Sequence, residues 1–538
     1  MRRLLSRSSR APMIVAALIA LAIPARAQSS RAASQKATQE RAAQLRELDA
    51  FVAKGLKDWG IPGLSVSIVK NDSVIFAKGY GMRALGNATA VDDQTLFGIM
   101  STTKAFTAMA LAMLVDEHKL AWNDPVTKWL PQLEFPDVLA TRELTVKDLL
   151  THNTGLGNAD LLWTRGDLSR DEILRRVRFL TPAYPIRGGF VYQNIMYGAA
   201  GEVVARASGM SWEDFVHTRI FQPLGMTRSY PTLGLMRAAR DANVSSPHFR
   251  IRDTLRVIED EPADPIESAG AIWSTAADMA KWMRFLLDSG RVNGARLVSE
   301  RNFRELFKPQ VVGPPEGFYP TSRIIKPHWE TYGLGFFEED YRGKFVAYHT
   351  GSLAGRTAII GLIPDERMGV YVFGNLDHAE FRHALMYKAF DLFAGTAEQP
   401  ARDWNAEFLK LYGDAAKRAE AARAARDAQR VAGTHPSLAL EKYAATYTHP
   451  AWGDLVVRMD NGALRVAIGP GADNSGLLEH WNYDTFRVAL GDGRGGSNML
   501  TFQLDPAGNV ASVMLDGSEQ YLFRWQAGSS APPRPRPR

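Results

Sequence analysis

The stretch Phe97-Gly-Ile-Met-Ser-Thr-Thr-Lys104 decides how this chain is interpreted, because it places a serine three residues before a lysine. The residues that follow, Ala105 to Val115, contain Ala, Leu and Met and neither Gly nor Pro. This composition, with apolar residues at helical spacing, predicts a helix. Residues three apart lie on one helix face, so we expect the Ser101 hydroxyl and the Lys104 amine to meet.

Such a pair favours nucleophilic chemistry. A serine hydroxyl is a weak nucleophile until a base accepts its proton, and a lysine accepts it when burial or cationic neighbours lower its pKa. The free N–H groups at a helix start also suit a developing oxyanion. Taken alone, the Ser-x-x-Lys spacing favours the alternative of an N-cap serine followed by a solvated lysine. Further motifs are therefore needed before Ser101 and Lys104 can be interpreted as a catalytic pair.

Composition limits the classes of function. The chain has 538 residues, 46% hydrophobic and 23% charged, which predicts a large globular domain plus a second one. It contains no cysteine, which excludes disulfides, thiolate catalysis and zinc–thiolate sites. The net charge is +6, but five arginines lie in the first 27 residues and three in the tail, so the remaining body carries −2. Nucleic-acid binding is therefore not expected.

The N-terminus predicts export. Four arginines precede an apolar run, Met13 to Ile23, and Ala25-Arg-Ala27 fits a cleavage site before Gln28. This pattern is typical of a secretory signal peptide, here 1–27, so we expect a periplasmic or secreted protein. The alternative is a membrane anchor, but the run is short for a span of roughly 20 residues, and no membrane span is expected in the mature form. The choice between the general and the twin-arginine export route stays open.

The rest of the chain divides by pattern. A polar lead (28–44) enters a helix that ends near Trp59, and strands at 64–69 and 74–79 form a hairpin. Later strands and helices complete an α+β domain, 45–395, followed by an exposed helical linker, 396–433. Residues 434–526 then form an antiparallel barrel or sandwich. Its predicted strands are 443–447, 455–459, 463–468, 485–490, 499–504, 510–515 and 521–525. The Pro/Arg tail, 527–538, is expected to be disordered.

Two further places carry candidate site residues. Tyr192 and Asn194 lie two apart just before a predicted helix, where loops often present functional side chains. A Tyr192 phenolate, with its pKa lowered by Lys104, would accept the proton of Ser101. The alternative is a packed tyrosine and a turn asparagine. His152 is a further candidate base, although a half-buried packing role is favoured for it.

Three motifs now stand in order: Ser101-x-x-Lys104, Tyr192-x-Asn194 and His349-Thr-Gly351. Together they resemble the penicillin-recognising serine hydrolases, which include class C β-lactamases, D-alanyl-D-alanine carboxypeptidases and related esterases. The resemblance covers about Leu45 to Gly395. It implies an α/β fold of two subdomains, with an antiparallel sheet flanked by helices and an all-helical region. The C-terminal part resembles the lipocalin-like barrel appended to some of these hydrolases.

The resemblance also implies roles for individual residues. Ser101 would be the acylated nucleophile, and Lys104 and Tyr192 would share the general-base role, which the sequence does not apportion. Asn194 would bind the substrate amide or orient Lys104. No cofactor is implied, and the histidines show no paired metal-binding spacing.

The remaining roles fall on the third motif. His349, Thr350 and Gly351 would lie on the strand that edges the cleft. The backbone N–H groups of Ser101 and Ser352 would form the oxyanion hole. Lactamases and carboxypeptidases usually carry Lys-Thr-Gly where this chain has His-Thr-Gly, and a histidine with a pKa of ~6.5 is a weaker anchor for a substrate carboxylate.

The histidine at position 349 favours hydrolysis of esters or small peptides over hydrolysis of β-lactams. We expect an exported serine hydrolase that forms an acyl-enzyme with small esters, amides or short D-amino-acid peptides, as an esterase, D-aminopeptidase or carboxypeptidase does. Weak or absent β-lactamase activity is expected. The alternative is a non-catalytic protein that binds peptidoglycan fragments or β-lactams. Oligomerisation through the barrel is left open.

Overall fold

The computed structural model describes residues 14–526, apart from 252, 314–317, 399 and 472–473. The chain divides into two compact units after Lys54. The start of the predicted signal peptide, 1–13, and the predicted disordered tail lie outside the described residues. Within the described part of the chain, no helix combines the length and the apolarity needed to cross a membrane.

The first helix corrects one prediction. It is α1, Ile14–Trp59, so residues 28–44 are helical where a loose polar lead was expected. The physical reason is local composition, because residues 28–54 are rich in Ala, Gln, Arg and Glu and contain neither Gly nor Pro. The helix ends, as predicted, before Gly60-Ile-Pro-Gly63, where Gly60 adopts a φ of +64°.

A nine-stranded antiparallel sheet forms the centre of the hydrolase part, in the order β10-β11-β12-β13-β14-β15-β1-β2-β3. The predicted hairpin is confirmed, with Leu64 opposite Tyr80. The strands of the nine-stranded sheet are β1 Gly63–Lys70, β2 Ser73–Ala84, β3 Asn87–Ala90, β10 Val311–Val312, β11 Glu330–Tyr332, β12 Phe337–Tyr341, β13 Lys344–Leu353, β14 Arg356–Ile363 and β15 Met368–Gly374.

Helices cover both faces of this sheet. In β14 and β15 every residue is buried, which is expected only where both faces are packed. Helix α14, Phe381–Phe393, lies close enough that a Cβ on Gly361 would meet Met386 at 2.5 Å. On the other face, α11, Ala276–Leu287, brings Met283 to 3.0 Å from the corresponding point on Gly369.

A helical region completes this part of the molecule. Its central helix is α2, Lys104–Asp116, in which Lys104 to Leu114 are all buried. A helix that is apolar on every side belongs in a core, and helices α6, α7, α10 and α12 surround it. The helices of the region and its surroundings are α3 Val138–Glu143, α4 Leu161–Thr164, α5 Arg170–Arg176, α6 Asn194–Ser208, α7 Trp212–Val216, α8 Gln222–Leu224, α9 Leu233–Ala238, α10 Glu267–Gly270, α12 Glu300–Leu306 and α13 Ser322–Ile325.

Three small strand pairs lie outside the large sheet. They are β4–β7, β5–β6 and β8–β9. Their bounds are β4 Phe97–Gly98, β5 His248–Ile251, β6 Thr254–Val257, β7 Trp273–Ser274, β8 Arg291–Val292 and β9 Ala295–Arg296.

The C-terminal part is a closed antiparallel barrel of eight strands, β16 to β23. Helix α15, Trp404–Ala428, precedes it; Trp404, Asn405 and Phe408 at its start are buried, and most of its later residues are exposed. Seven strands were predicted, and the eighth, β19 Ser475–Asn482, was missed because its alternating pattern is interrupted by polar residues and begins with Ser-Gly. Closure needs this strand, since an open barrel would expose unpaired edges. The others are β16 Thr446–His449, β17 Gly453–Asp460, β18 Ala463–Ile468, β20 Thr485–Val488, β21 Asn498–Leu504, β22 Val510–Leu515 and β23 Leu522–Trp525.

Candidate active site

Ser101 lies in a tight 3-10 turn, Met100–Thr103, directly before α2. Met100 has a φ of +46°, a strained conformation for a residue with a side chain. The Thr102 hydroxyl donates to Ile99 O (2.9 Å) and lies 2.7 Å from the Tyr371 hydroxyl of β15. The turn is therefore anchored to the sheet, while Ser101 itself stays half-buried.

Lys104 is fully buried, and its amine has three oxygen neighbours. Nζ lies 2.8 Å from Asn194 Oδ1, 3.0 Å from Ala269 O and 3.1 Å from Ser101 Oγ. Burial lowers the pKa of Lys104 to about 7, and the Asp160 carboxylate partly opposes that shift. Near neutral pH, a neutral Lys104 amine is therefore accessible.

The neutral amine is oriented by its two closer neighbours. A neutral lysine has two N–H donors and one lone pair. Asn194 Oδ1 and Ala269 O accept hydrogen bonds but cannot donate one, so they hold the two N–H groups. The lone pair is then left for the Ser101 hydroxyl. This geometry suits a base that removes the proton of Ser101.

Asp160 was missed by the sequence analysis, yet it fixes the amide of Asn194. Asn194 Nδ2 donates to Asp160 Oδ1 at 3.0 Å, so the amide oxygen faces Lys104. The Trp163 indole N–H donates to the same carboxylate oxygen at 2.9 Å. Asp160 lies in a loop with no recognisable motif, so only the fold brings its charge to Lys104.

Tyr192 is half-buried, with its hydroxyl oxygen shielded from solvent, and Lys104 Nζ lies 4.7 Å from the centre of its ring. Burial raises the pKa of the phenol well above its usual value, and the neighbouring Ser101 side chain only partly opposes this. Its hydroxyl makes no well-aligned hydrogen bond to a described group. The expectation that Lys104 lowers the pKa of Tyr192 is therefore wrong, and Tyr192 is a neutral phenol here.

His349, in β13, is fully buried behind Tyr192, with 6.2 Å between the two ring centres. Its Nδ1 lies 2.6 Å from Thr350 O and its Nε2 lies 3.2 Å from the Tyr332 hydroxyl. Burial lowers its pKa to about 3. His349 is therefore neutral at physiological pH and is not a cationic anchor for a substrate.

Gly351 shows why the third motif needs a glycine. A Cβ built on it would lie 2.3 Å from Ile99 O and 3.1 Å from the Met100 Cβ. Strand β13 therefore touches the backbone that leads into Ser101. The Thr350 hydroxyl lies 2.5 Å from that of the half-buried Tyr319.

Arg382 supports the end of β13 and was also missed by the sequence analysis. Its guanidinium is buried and donates to Gly351 O (2.6 Å) and to Ser352 Oγ (2.9 Å). Its other edge pairs with both oxygens of Glu380, each at 3.0 Å. This bidentate pair fixes the strand segment whose Ser352 N–H is the predicted oxyanion donor.

His152 packs among aromatic side chains. Its ring lies 4.2 Å from that of Tyr192, and its Nδ1 accepts the Gln193 backbone N–H at 3.1 Å. Burial lowers its pKa well below its usual value. A neutral, buried ring of this kind fits the packing role favoured from the sequence.

A small depression lies next to the turn that carries Ser101. Its walls are largely apolar, but Arg356 and Asp260 form an ion pair at 2.6 Å within it. The lining residues are Gly98, Met100, Leu233, Asp260, Glu261, Ala263, Gly270, Ala271, Trp273, Leu353, Ala354 and Arg356. In the described part of the chain, no cluster of three or more His, Asp or Glu side chains is arranged to hold a metal ion.

A family model described as Beta-lactamase matches residues 48–392. The chain belongs to the Beta-lactamase family. A second model, described as a domain of unknown function (DUF3471), matches residues 429–529, which include the barrel of this β-lactamase-family protein.

Two relatives illustrate the proteins to which this chain is similar in sequence. One is the unguisins hydrolase ungD' of Aspergillus campestris, 29% identical over 431 residues, which cover 76% of this chain and 77% of that protein. Protein flp of Staphylococcus aureus is 25% identical over 346 residues, covering 62% of this chain and 63% of flp. With the family match, these relatives identify the chain as a serine hydrolase of the β-lactamase and penicillin-binding-protein superfamily.

Solved structures show the same fold. The octameric penicillin-binding protein homologue from Pyrococcus abyssi aligns with a TM-score of 0.58 and 22% identity, covering 89% of this chain and all of that one. The crystal structure of SurE aligns with a TM-score of 0.55 and 18% identity, covering 90% of this chain. The expected α/β fold with a C-terminal barrel is thereby confirmed.

Proposed function

We propose that this β-lactamase-family protein is an exported hydrolase that cleaves ester or amide bonds of small substrates through an acyl-enzyme on Ser101. The observation that carries the proposal is the Lys104 amine, which is buried, has a pKa near 7 and lies 3.1 Å from Ser101 Oγ. A non-catalytic binding protein would gain nothing from such an arrangement, because a buried amine costs stability.

In the proposed reaction, Ser101 Oγ attacks the substrate carbonyl carbon while Lys104 Nζ takes the hydroxyl proton. The carbonyl oxygen becomes an oxyanion, which the backbone N–H groups of Ser101 and Ser352 stabilise. The C–O or C–N bond then breaks, and the Tyr192 hydroxyl relays a proton from Lys104 to the departing alcohol or amine. Water afterwards hydrolyses the acyl ester, with Lys104 again as base.

The neutral His349 supports esters and amides over β-lactams. A β-lactam antibiotic carries a carboxylate, and the residue at the usual lysine position is a buried imidazole whose pKa is about 3. The donors of the neighbouring Arg382 are taken up by Glu380, Gly351 and Ser352. A carboxylate would therefore gain little at this end of the site.

Export is part of the proposal. The arginine-rich start, the apolar run from Met13 to Ile23 and the Ala25-Arg-Ala27 sequence support cleavage after Ala27, and a periplasmic or secreted protein. Intact-mass measurement of the protein recovered from outside the cytoplasm tests this. A mass that retains residues 1–27 would contradict it.

The activity is tested with a fluorophosphonate probe and a substrate panel. The panel contains p-nitrophenyl esters, D-amino-acid amides, D-Ala-D-Ala peptides and nitrocefin. We expect a covalent adduct on Ser101 and turnover of esters or amides, both absent in Ser101→Ala. Neighbouring Thr102→Ser, which keeps the hydroxyl beside Tyr371, is the matched control. No adduct and no turnover in the native protein would favour the binding protein instead.

A further inference from the structure

The barrel rests on the chain segment that carries Asp160. This docking segment comprises residues 157–176. Its Arg165 is buried, with 5% of the side chain exposed, and pairs with Asp167 at 2.7 Å between Nη2 and Oδ2. Arg165 Nη1 donates to the backbone carbonyl of Trp452, in the turn between β16 and β17 of the barrel. The guanidinium is thus held from both sides of the contact.

Two barrel glycines leave the space that Arg165 occupies. Gly453 has a φ of +73°, and a Cβ on it would lie 2.8 Å from Arg165 Nη1. Gly469 has a φ of +77°, and a Cβ there would lie 2.8 Å from Arg165 O. The barrel surface is therefore shaped around this one residue.

Further hydrogen bonds join the same two surfaces. All of them end on backbone carbonyls, so they fix the path of the chain. They are Arg176 Nη1 to Ala451 O at 3.3 Å, Asn474 Nδ2 to Thr164 O at 3.2 Å and Gln520 Nε2 to Asn158 O at 3.3 Å.

The docking segment leads directly to the base. Asp160 directly precedes the short helix α4, Leu161–Thr164, which ends just before Arg165, and Trp163 of that helix donates a hydrogen bond to Asp160. Asp160 holds Asn194, and Asn194 holds Lys104. A displacement of Arg165 would therefore reach Asp160 within about one helical turn.

We propose that the barrel is a positioning element for catalysis, and that Arg165 is the positioning residue through which it acts. By seating Arg165, the barrel fixes Asp160 and so orients Asn194 and the amine of Lys104. This inference rests on the proposed acylation of Ser101, and it gives the barrel a role in the reaction without contact to the substrate.

The test compares two glycine variants of the full-length protein. Gly469→Ala and Gly462→Ala both place alanine at a positive φ, +77° and +82°, but a Cβ on Gly462 meets nothing within 4 Å. The fluorophosphonate labelling rate of Ser101 is measured against pH at a temperature where both variants are folded. We expect Gly469→Ala to lower the plateau rate at least about tenfold, since a misplacement of about 1 Å can cost 10²-fold. The midpoint of the pH profile of labelling should also move to lower pH in Gly469→Ala, because a displaced Asp160 no longer raises the pKa of Lys104. Gly462→Ala should keep both values.

Arg165→Met provides a second variant should Gly469→Ala not fold, with Arg175→Met, at an exposed position of the same segment, as its control. The same loss of rate and shift of midpoint are expected for Arg165→Met alone. Native rate and midpoint in both Gly469→Ala and Arg165→Met, or in whichever of them folds, would overturn the inference and leave the proposed function intact. A native protein that is not labelled at all would overturn both.

Discussion

At the scale of single residues, the proposed chemistry depends on the Lys104 amine, whose pKa the fold lowers towards neutrality. Burial alone would lower the pKa of Lys104 further, and Asp160 brings it back to about 7. A general base is most effective when its pKa lies near the working pH. The neutral Tyr192 phenol then has a proton to give, which fits the role of a donor to the leaving group better than that of a base.

The first prediction separates the two candidate bases. The labelling rate of Ser101 should rise with pH through a midpoint near 7 and then level off, because Lys104 accepts a proton only when neutral. Tyr192→Phe should lower ester turnover by about 10²-fold or more, as expected for loss of an acid catalyst, and keep the labelling midpoint near 7. Stopped-flow labelling across pH 5–9 measures both. A midpoint that disappears in Tyr192→Phe would assign the base to Tyr192.

The second prediction concerns the charge of Asp160. Asp160→Asn keeps the shape of the side chain but removes the charge that raises the pKa of Lys104. The midpoint of the labelling profile should therefore move below 7, by roughly one pH unit or less. Asp171→Asn, at an exposed position in the same region, should leave the midpoint unchanged. An unchanged or raised midpoint in Asp160→Asn would show that this carboxylate does not act on Lys104.

At the scale of elements, the site depends on how closely one strand approaches one turn. Strand β13 meets the turn of Ser101 backbone to backbone at Gly351, and Arg382, which is paired with Glu380, donates a hydrogen bond to the Gly351 carbonyl. Interiors are close-packed, so this contact leaves no room for an extra carbon atom.

The third prediction follows from that contact. In Gly351→Ala, the new Cβ would lie 2.3 Å from Ile99 O, so strand and turn must separate. We expect turnover to fall by about 10²-fold or more, because an oxyanion donor is moved away from the nucleophile. Gly234→Ala, whose nearest contact would be 3.9 Å away in α9, is the control and should keep turnover within about twofold. Native turnover in Gly351→Ala would mean that the spacing of β13 does not matter.

At the scale of the whole molecule, buried carboxyl groups make stability depend on pH. Burial raises the pKa of Glu339, in the central sheet, to about 8, although a hydrogen bond from the Tyr387 hydroxyl at 2.7 Å opposes the shift. The folded protein therefore keeps a proton on Glu339 that the unfolded chain loses above about pH 4.5. The stability that protonated Glu339 contributes is therefore fully present below about pH 4.5 and is lost as the pH rises towards 8.

The fourth prediction tests this sign. Glu339→Gln keeps an oxygen that accepts from Tyr387 but cannot ionise. The difference in free energy of unfolding, variant minus native protein, should increase by about 1.4 kcal/mol for each pH unit between pH 5 and 8. Urea unfolding at several pH values, followed by tryptophan fluorescence, measures the difference. Glu420→Gln, on the exposed part of α15, should show no such trend, and a flat difference for Glu339→Gln would contradict the burial argument.

The sequence determined the parts of the molecule that depend on local composition and spacing. Helix α2, the β1–β2 hairpin and seven of the barrel strands follow from apolar periodicity and turn residues, and Ser101, Lys104, Tyr192 and Asn194 follow from motifs. The helix over 28–44 was missed because its polar composition was interpreted as a loose segment. The strand β19 was missed because its sequence lacks a clean alternating pattern; it forms where closure of the barrel supplies a neighbouring strand on each side.

Only the tertiary structure decided the protonation states and the supports of the site. A pKa depends on burial and on charges brought together from distant parts of the chain, so no local pattern indicated that His349 and Tyr192 are neutral. The same holds for Asp160, the carbonyl of Ala269 and Arg382, which have no motif of their own. Local spacing placed a hydroxyl and an amine one turn apart, and long-range packing decided in which direction the proton can move between them.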